Sequence, residues 1–138
     1  MYDIERVGKI FSDIEKYFKE MESYNLKSAS DLLDSKNYNA TSMLLLAILN
    51  KIIELGGEIL NEEKMGAPSR YNDIMPMLAK AGMMNKEKAE SLNKIIEKRN
   101  ILAHYYGELN EKELFKMTKD IYDARDFMRA VKKRMKIA

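Results

Sequence analysis

Apolar residues recur at three- and four-residue spacing through almost the whole chain, and only two prolines, Pro68 and Pro76, interrupt them. Side chains three or four apart share one face of an α-helix, whereas a half-buried strand alternates at every second residue. An all-α protein follows. In the first stripe Ile4, Val7, Ile10, Phe11, Ile14, Tyr17, Phe18 and Met21 lie together, and the pattern stops before Tyr24-Asn25. Ser28 or Ser30 can cap a short helix around Leu32 and Leu33. A long helix is expected to start between Asn39 and Ser42 and to run toward Leu60. Its opening run Met43-Leu44-Leu45-Leu46 is apolar all round, which marks it as the central helix. Gly56-Gly57 either weakens its later turns or admits a close neighbour.

Residues 62–70, with Gly66 and Pro68, read as a loop, and Asn72 can cap the short helix that carries Met75, Met77, Leu78 and Ala81. Pro76 is tolerated there only within the first turn. Gly82 closes this piece as a C-cap, and Asn85 opens a helix with the stripe Ala89, Leu92, Ile95, Ile96 and Leu102. Asn110 with Glu113 forms a capping box for a last helix carrying Leu114, Met117, Ile121, Ala124, Phe127, Met128 and Val131. The expectation is one domain over residues 1–138: an up-and-down bundle of four main helices plus one or two short ones.

Composition removes several classes of chemistry. The chain has no cysteine and a single histidine, His104, so disulfides, thiolate sites and a histidine-rich zinc site are excluded and no metal or cofactor is expected. There is no Gly-rich phosphate loop, no serine elbow and no paired-histidine motif. The N-terminus lacks a signal-peptide order, and the longest apolar run, from Met43 to Leu49, is too short to span a bilayer. A cytoplasmic protein without a membrane association is expected. The eleven methionines fit gap-filling core positions, with Met83-Met84 beside Gly82 the pair expected to be exposed.

The chemistry concentrates in Arg99-Asn100-Ile101-Leu102-Ala103-His104-Tyr105-Tyr106. Arginine presents a cationic planar fork that suits phosphate, and histidine trades a proton near neutral pH. On a continuous helix Asn100 and His104 stack and Arg99 lies over Tyr106, but Arg99 and His104 stand roughly 140° apart around the axis. A swing of the arginine, a loosened helix or a second copy of the helix can close that gap. A histidine at a helix C-terminus is also satisfied by one hydrogen bond or by the helix dipole, with no catalytic part.

Arg99, Asn100, His104 and Tyr106 together match arginine, polar residue, spacer, histidine, any residue, tyrosine. That pattern resembles the motif of the HEPN superfamily. The stretch from Tyr71 through Asn110, with IMPMLAKAGMM and KAESLNKIIEKRNILAHYYGELN, is similar to its HepT branch, over about the last two thirds of the chain from Leu44 onward. The resemblance implies a HEPN-like bundle and a metal-independent endoribonuclease toxin paired with a nucleotidyltransferase-fold antitoxin. It implies His104 as the proton-transfer residue, Arg99 as phosphate clamp, Asn100 as an orienting polar group and Tyr106 as a donor at the edge. The motif tyrosine, Tyr106, is also where such an antitoxin attaches AMP, with Tyr105 beside it as a second candidate. Added phosphate there would repel RNA phosphates. The chain departs from the branch at Asn50, where members often carry an acid.

Charge is uneven. Arg125, Arg129, Lys132, Lys133, Arg134 and Lys136 against Asp126 give residues 125–138 a local +5 within a net +2. Arg125, Arg129, Lys132 and Lys133 can steer RNA, or simply complement a helix C-terminus and keep the surface soluble. The leading expectation is a homodimer with two motif helices facing across a two-fold axis. The alternatives are a non-catalytic helical module that binds RNA, a nucleotide or a nucleotidyltransferase partner, and a scaffold whose motif merely packs.

Overall fold

The computed structural model describes residues 2–104 and 106–135, without the Tyr106 side chain. Among them are seven α-helices and three short 3-10 turns: α1 (Ile4–Ser23), a 3-10 turn (Ala29–Leu33), α2 (Ser35–Glu62), a 3-10 turn (Tyr71–Asp73), α3 (Ile74–Lys80), α4 (Lys86–Ile96), α5 (Arg99–His104), a 3-10 turn (Tyr106–Glu108), α6 (Glu111–Asp120) and α7 (Asp123–Met135). The all-α expectation holds, with α1, α2, α4 with α5, and α6 with α7 as the four main segments. The expectations that fall on Tyr105, on the Tyr106 side chain and on Lys136 lie outside the described residues.

Local chemistry sets the element ends. Asp3 caps α1 by accepting the Arg6 N–H at 3.1 Å, and the chain leaves α1 through Asn25 at φ 54°. The face that α1 buries is Val7, Ile10, Phe11, Ile14, Phe18 and Met21, whereas Ile4 stands 61% exposed. The 3-10 turn at Ala29–Leu33 begins where expected, with the Asp31 carboxylate accepting the Lys27 and Ser28 N–H groups at 2.7 and 3.2 Å. α2 starts at Ser35, four residues before the earliest point its apolar pattern suggests, because the Asp34 carboxylate accepts the N–H groups of Lys36 and Asn37 at 2.9 and 3.1 Å. At the other end Lys64 takes φ 54° and the Met65 N–H bonds to the Leu60 carbonyl at 2.9 Å, a Schellman closure on a lysine.

α2 is the central helix, packed against α1, α3, α5, α6 and the Ala29–Leu33 turn. Gly56 is what lets α3 approach. It is buried, and a methyl group added there would overlap Cγ2 of Ile74, itself buried and β-branched, while the same addition at Gly57 meets nothing within 4 Å. A glycine inside a helix is less favourable than alanine, and overpacking a stiff contact is costly. Gly57→Ala is therefore expected to raise stability by about 0.5–1 kcal/mol, and Gly56→Ala to lower it by about 1–3 kcal/mol. Equal shifts in urea unfolding would contradict this.

Two expectations are corrected and one, for Pro76, holds. Asn72 does not cap α3: it sits inside the Tyr71–Asp73 turn, where Asp73 precedes the helix and its carboxylate accepts the Arg70 N–H at 3.1 Å. Pro76 is the third residue of α3, within the tolerated first turn. Met83 is buried rather than exposed, because Gly82 at φ 81° closes a Schellman motif in which the Met83 N–H reaches the Leu78 carbonyl at 2.9 Å, folding Met83 inward. Met84 packs partly buried against the same core, and among the described residues the large apolar side chains left exposed are Ile4, Leu33 and Met43.

The last helix is two. Asn110 does form the expected capping box with Glu113, but α6 stops at Asp120, where bonds from Tyr122 to Lys119, Ala124 to Ile121 and Arg125 to Tyr122 tighten the backbone to i→i−3. The tightening sets the Tyr122 ring against Phe18, with centroids 4.6 Å apart, and the Arg125 guanidinium over both rings. Meanwhile Leu114 and Met117 of α6, and Ala124, Phe127 and Val131 of α7, all remain in the core.

Tyr2 and Arg134 meet at Glu63. Its carboxylate accepts from Arg134 and from the Tyr2 hydroxyl, and these two hydrogen bonds hold its pKa below the usual carboxylate value of 4.5. A depressed carboxylate stabilises the fold above its unfolded pKa and loses that contribution as pH falls through the folded one. Glu63→Gln is expected to lower the melting temperature at neutral pH and to flatten its decline below about pH 4.5. A wild-type acid limb in the variant would refute the linkage.

Candidate functional site

The motif lies where α4 gives way to α5. Asn85 caps α4, with its Oδ1 accepting the Glu87 N–H at 2.7 Å, and the stripe Ala89, Leu92, Ile95 and Ile96 is buried as expected. The helix does not run on to His104. At residues 97 and 98 the backbone tightens, the Lys98 N–H bonding to the Ile95 carbonyl at 3.0 Å, and α5 restarts from Lys98, whose carbonyl accepts the Leu102 N–H at 3.0 Å. This resets the register that a single continuous helix would impose. Leu102 anchors α5 against α2, leaving Asn100 and His104 exposed one turn apart.

Arg99 is the best-held side chain of the group. Its Nε donates to Asn50 Oδ1 of α2 at 2.9 Å, its Nη1 donates to Asn100 Oδ1 at 3.3 Å, and its guanidinium lies over the Tyr71 ring, 5.7 Å from the centroid. The fork is thus tied to α2, to its own helix and to the turn before α3, with Nη2 uncommitted among the described residues. Asn100 faces Arg99 through its amide oxygen and so helps hold the guanidinium in place. The α-helix ends at His104 and Tyr106 begins a 3-10 turn, so the backbone is not the continuous helix on which Arg99 was expected to lie over Tyr106. That turn is pinned from below: the Tyr38 hydroxyl donates to the Leu109 carbonyl at 2.5 Å.

Tyr71 escaped the sequence reading as a site residue, and Asn50 entered it only as a departure from the HepT branch, not as a partner of Arg99. The available signal was Asn50 itself, a polar residue closing the apolar run Met43–Leu49, and an arginine needs such an acceptor. No pattern in the chain announced Tyr71, which reaches Arg99 only because the α2–α3 connection returns it there.

The basic segment is largely engaged elsewhere. Arg125 binds Glu15 bidentately at 3.3 and 3.0 Å, Arg129 pairs with Asp126, and Lys132 lies over the Phe11 ring at 5.3 Å. Asp126 also takes Lys88 at 2.8 Å, and the hydrogen bonds from Lys88 and then Arg129 hold its carboxyl below the usual range. Lys133 is exposed. α7 rests on α4 and, through these side chains, on α1, whereas α5 rests on α2. No described helix is long and apolar enough to cross a membrane.

The fold is an all-helical HEPN-type bundle, with an arginine held by Asn50, Asn100 and Tyr71 and a histidine on one short helix. The model of the HepT-like ribonuclease family matches residues 10–133, and the chain belongs to that family. The match begins well before Leu44, so the family pattern includes α1. No curated protein matches the sequence. Among solved structures, YutE of Bacillus subtilis, a cytosolic protein of unknown function, superposes with a TM-score of 0.83 at 20% identity, covering 98% of this chain and 93% of that one. A tri-AMPylated Shewanella oneidensis HEPN toxin in complex with MNT antitoxin gives 0.84 at 21% identity, covering 96% and 99%. A toxin–antitoxin structure with AMP-PNP gives 0.85 at 18%, covering 92% and 97%.

Proposed function

We propose that this protein is a metal-independent endoribonuclease toxin that works as a homodimer in the cytoplasm. The observation that carries the reading is the clamp: Arg99 is held on three sides with Nη2 uncommitted among the described residues, and His104 ends the same short helix, exposed. In the reaction the RNA 2′-hydroxyl attacks the adjacent phosphorus and the 5′-oxygen departs, leaving a 2′,3′-cyclic phosphate and a free 5′-hydroxyl. Two protons move: one leaves the attacking hydroxyl, one reaches the departing oxygen. Arg99 stabilises charge on the phosphoryl oxygens, and His104 moves protons.

With one histidine per chain, a pair of motifs facing across a two-fold axis supplies one imidazole as base and another as acid. An apolar stripe beside the clamp suits such an interface. Met43, 70% exposed, and the partly buried Leu46 lie on the α2 face that leads to Asn50.

The partner is a nucleotidyltransferase-fold antitoxin that attaches AMP to Tyr106, or to Tyr105 next to it; an AMPylated HEPN toxin from Shewanella in complex with an MNT antitoxin supports a pairing of this kind. Negative charge on the 3-10 turn next to α5 repels the RNA phosphates that Arg99 must bind. Lys133 and the outer parts of Arg125, Arg129 and Lys132 add a weaker, salt-sensitive attraction for RNA. The test is incubation of purified protein with RNA in excess EDTA. Cleavage to cyclic-phosphate ends is expected, and a mass increase confined to Tyr105 or Tyr106 should appear after treatment with the antitoxin and ATP. Tight RNA binding without turnover under any condition would instead mark a binding module.

A further inference from the structure

Between α3 and α4 lies a cavity of about 320 Å³ that the clamp does not use. Pro76 and Ala79 of α3 and Ala89 of α4 make its apolar floor; Asn93 stands at the end nearer the motif. Lys80 and Lys86 stand at the other end, with Glu90 on the rim. The short turn at Gly82 folds α4 back along α3, so the seam has a direction. It runs from Tyr71 and Arg99, which touch, past Pro76 and Asn93, to the two lysines. Asn93 precedes Arg99 by six residues, just before the break between α4 and α5. The volume is at the low end of the roughly 300–1,000 Å³ typical of small-molecule sites, room for a flat ring rather than a folded segment.

Asn93 supplies the polar element. Its Oδ1 is buried with no hydrogen-bond partner among the described residues. An orphaned acceptor is unfavourable, and the terminal torsion of an asparagine is soft, so a small turn of the amide offers the oxygen to a donor in the slot. Unstacked bases of single-stranded RNA are held in this way, by apolar contact on their faces and hydrogen bonds on their edges. Lysines beyond the slot suit the next phosphate.

We infer that the α3–α4 slot is a nucleobase subsite for the RNA strand flanking the scissile phosphate, and that it takes a base with an exocyclic amine. This rests on the ribonuclease reading above. Lys80 and Lys86 hold the backbone beyond the bound base, and the slot, rather than the clamp, sets sequence preference.

The test uses fluorescence anisotropy with His104→Ala protein and a short single-stranded RNA, alongside versions carrying an abasic nucleotide at each position in turn. One abasic position is expected to weaken binding about tenfold. Ala79→Leu, which fills the slot, should weaken the intact RNA by a similar factor and erase that penalty, and Asn93→Leu should do the same should Ala79→Leu fail to fold. Lys80→Ala with Lys86→Ala should lower the salt dependence. Unchanged binding and an unchanged abasic penalty in the slot variants would overturn the subsite while leaving the ribonuclease reading standing. If wild type neither cuts nor binds RNA, both fall. If the slot variants weaken only the hold of a protein partner, the slot is a protein contact and the inference fails.

Discussion

His104→Ala is expected to lose RNA cleavage by at least about 10²–10⁴-fold, the usual worth of a positioned proton-transfer group, and more if both imidazoles of a dimer act in one site. The reason is inventory. This is the chain's only histidine, the side-chain type that trades a proton near neutral pH, and it ends α5 exposed, one turn after Asn100. Being exposed, it contributes little packing, so circular dichroism of the variant should show the wild-type helical fold. In a mixed dimer of wild-type and His104→Ala chains, activity should fall well below half if base and acid come from different copies. Full cleavage by the variant would remove His104 from the mechanism, and half activity in the mixed dimer would show that each copy acts alone.

The second large effect belongs to Arg99. Arg99→Lys keeps the charge but replaces a planar fork with a point donor, and it deletes the Nε bond to Asn50 and the overlap with Tyr71. Removing one preorganised donor from a developing oxyanion typically costs about 10²–10³-fold in kcat. We expect a loss of that size for Arg99→Lys and at least as much for Arg99→Ala. Asn50 tests whether the hold itself matters. Asn50→Ala leaves the charge and the fork but frees one side of it, and a clamp displaced by a fraction of an ångström is expected to cost about ten- to a hundredfold. Asn50→Asp restores the acceptor with a negative charge, which partly neutralises the guanidinium. It should position Arg99 yet weaken RNA binding most at low salt. Equal activity in wild type, Asn50→Ala and Asn50→Asp would show that Arg99 needs no support from α2.

Most of the helical framework is legible in the chain because its causes are local. The stripe from Val7 to Met21, the caps at Asn85 and Asn110 and the positive φ at Gly82 each depend on residues within a turn or two. The misreadings share a cause as well. The apolar pattern places the start of α2 near Asn39, but Asp34 opens it earlier with side-chain hydrogen bonds that no periodicity records. The breaks at residues 97–98 and 121–122 contain neither proline nor glycine. They arise where the backbone tightens so that both halves keep their stripes in one core, a demand that comes from the rest of the bundle. Met83 looked exposed because it sits in a turn, yet the turn folds it back onto the core.

The amino-acid sequence by itself determined the helical class, the central place of α2 and the motif from Arg99 to Tyr106, since periodicity, caps and residue chemistry act over short distances. It could not determine what holds Arg99. Asn50 lies forty-nine residues away on α2, and Tyr71 lies on another connection. Only tertiary packing brings both to the same guanidinium. The break before Arg99 belongs to that decision too. It separates the motif from the register of α4, so the geometry of the clamp follows from how α5 docks on α2 rather than from the spacing of letters along one helix.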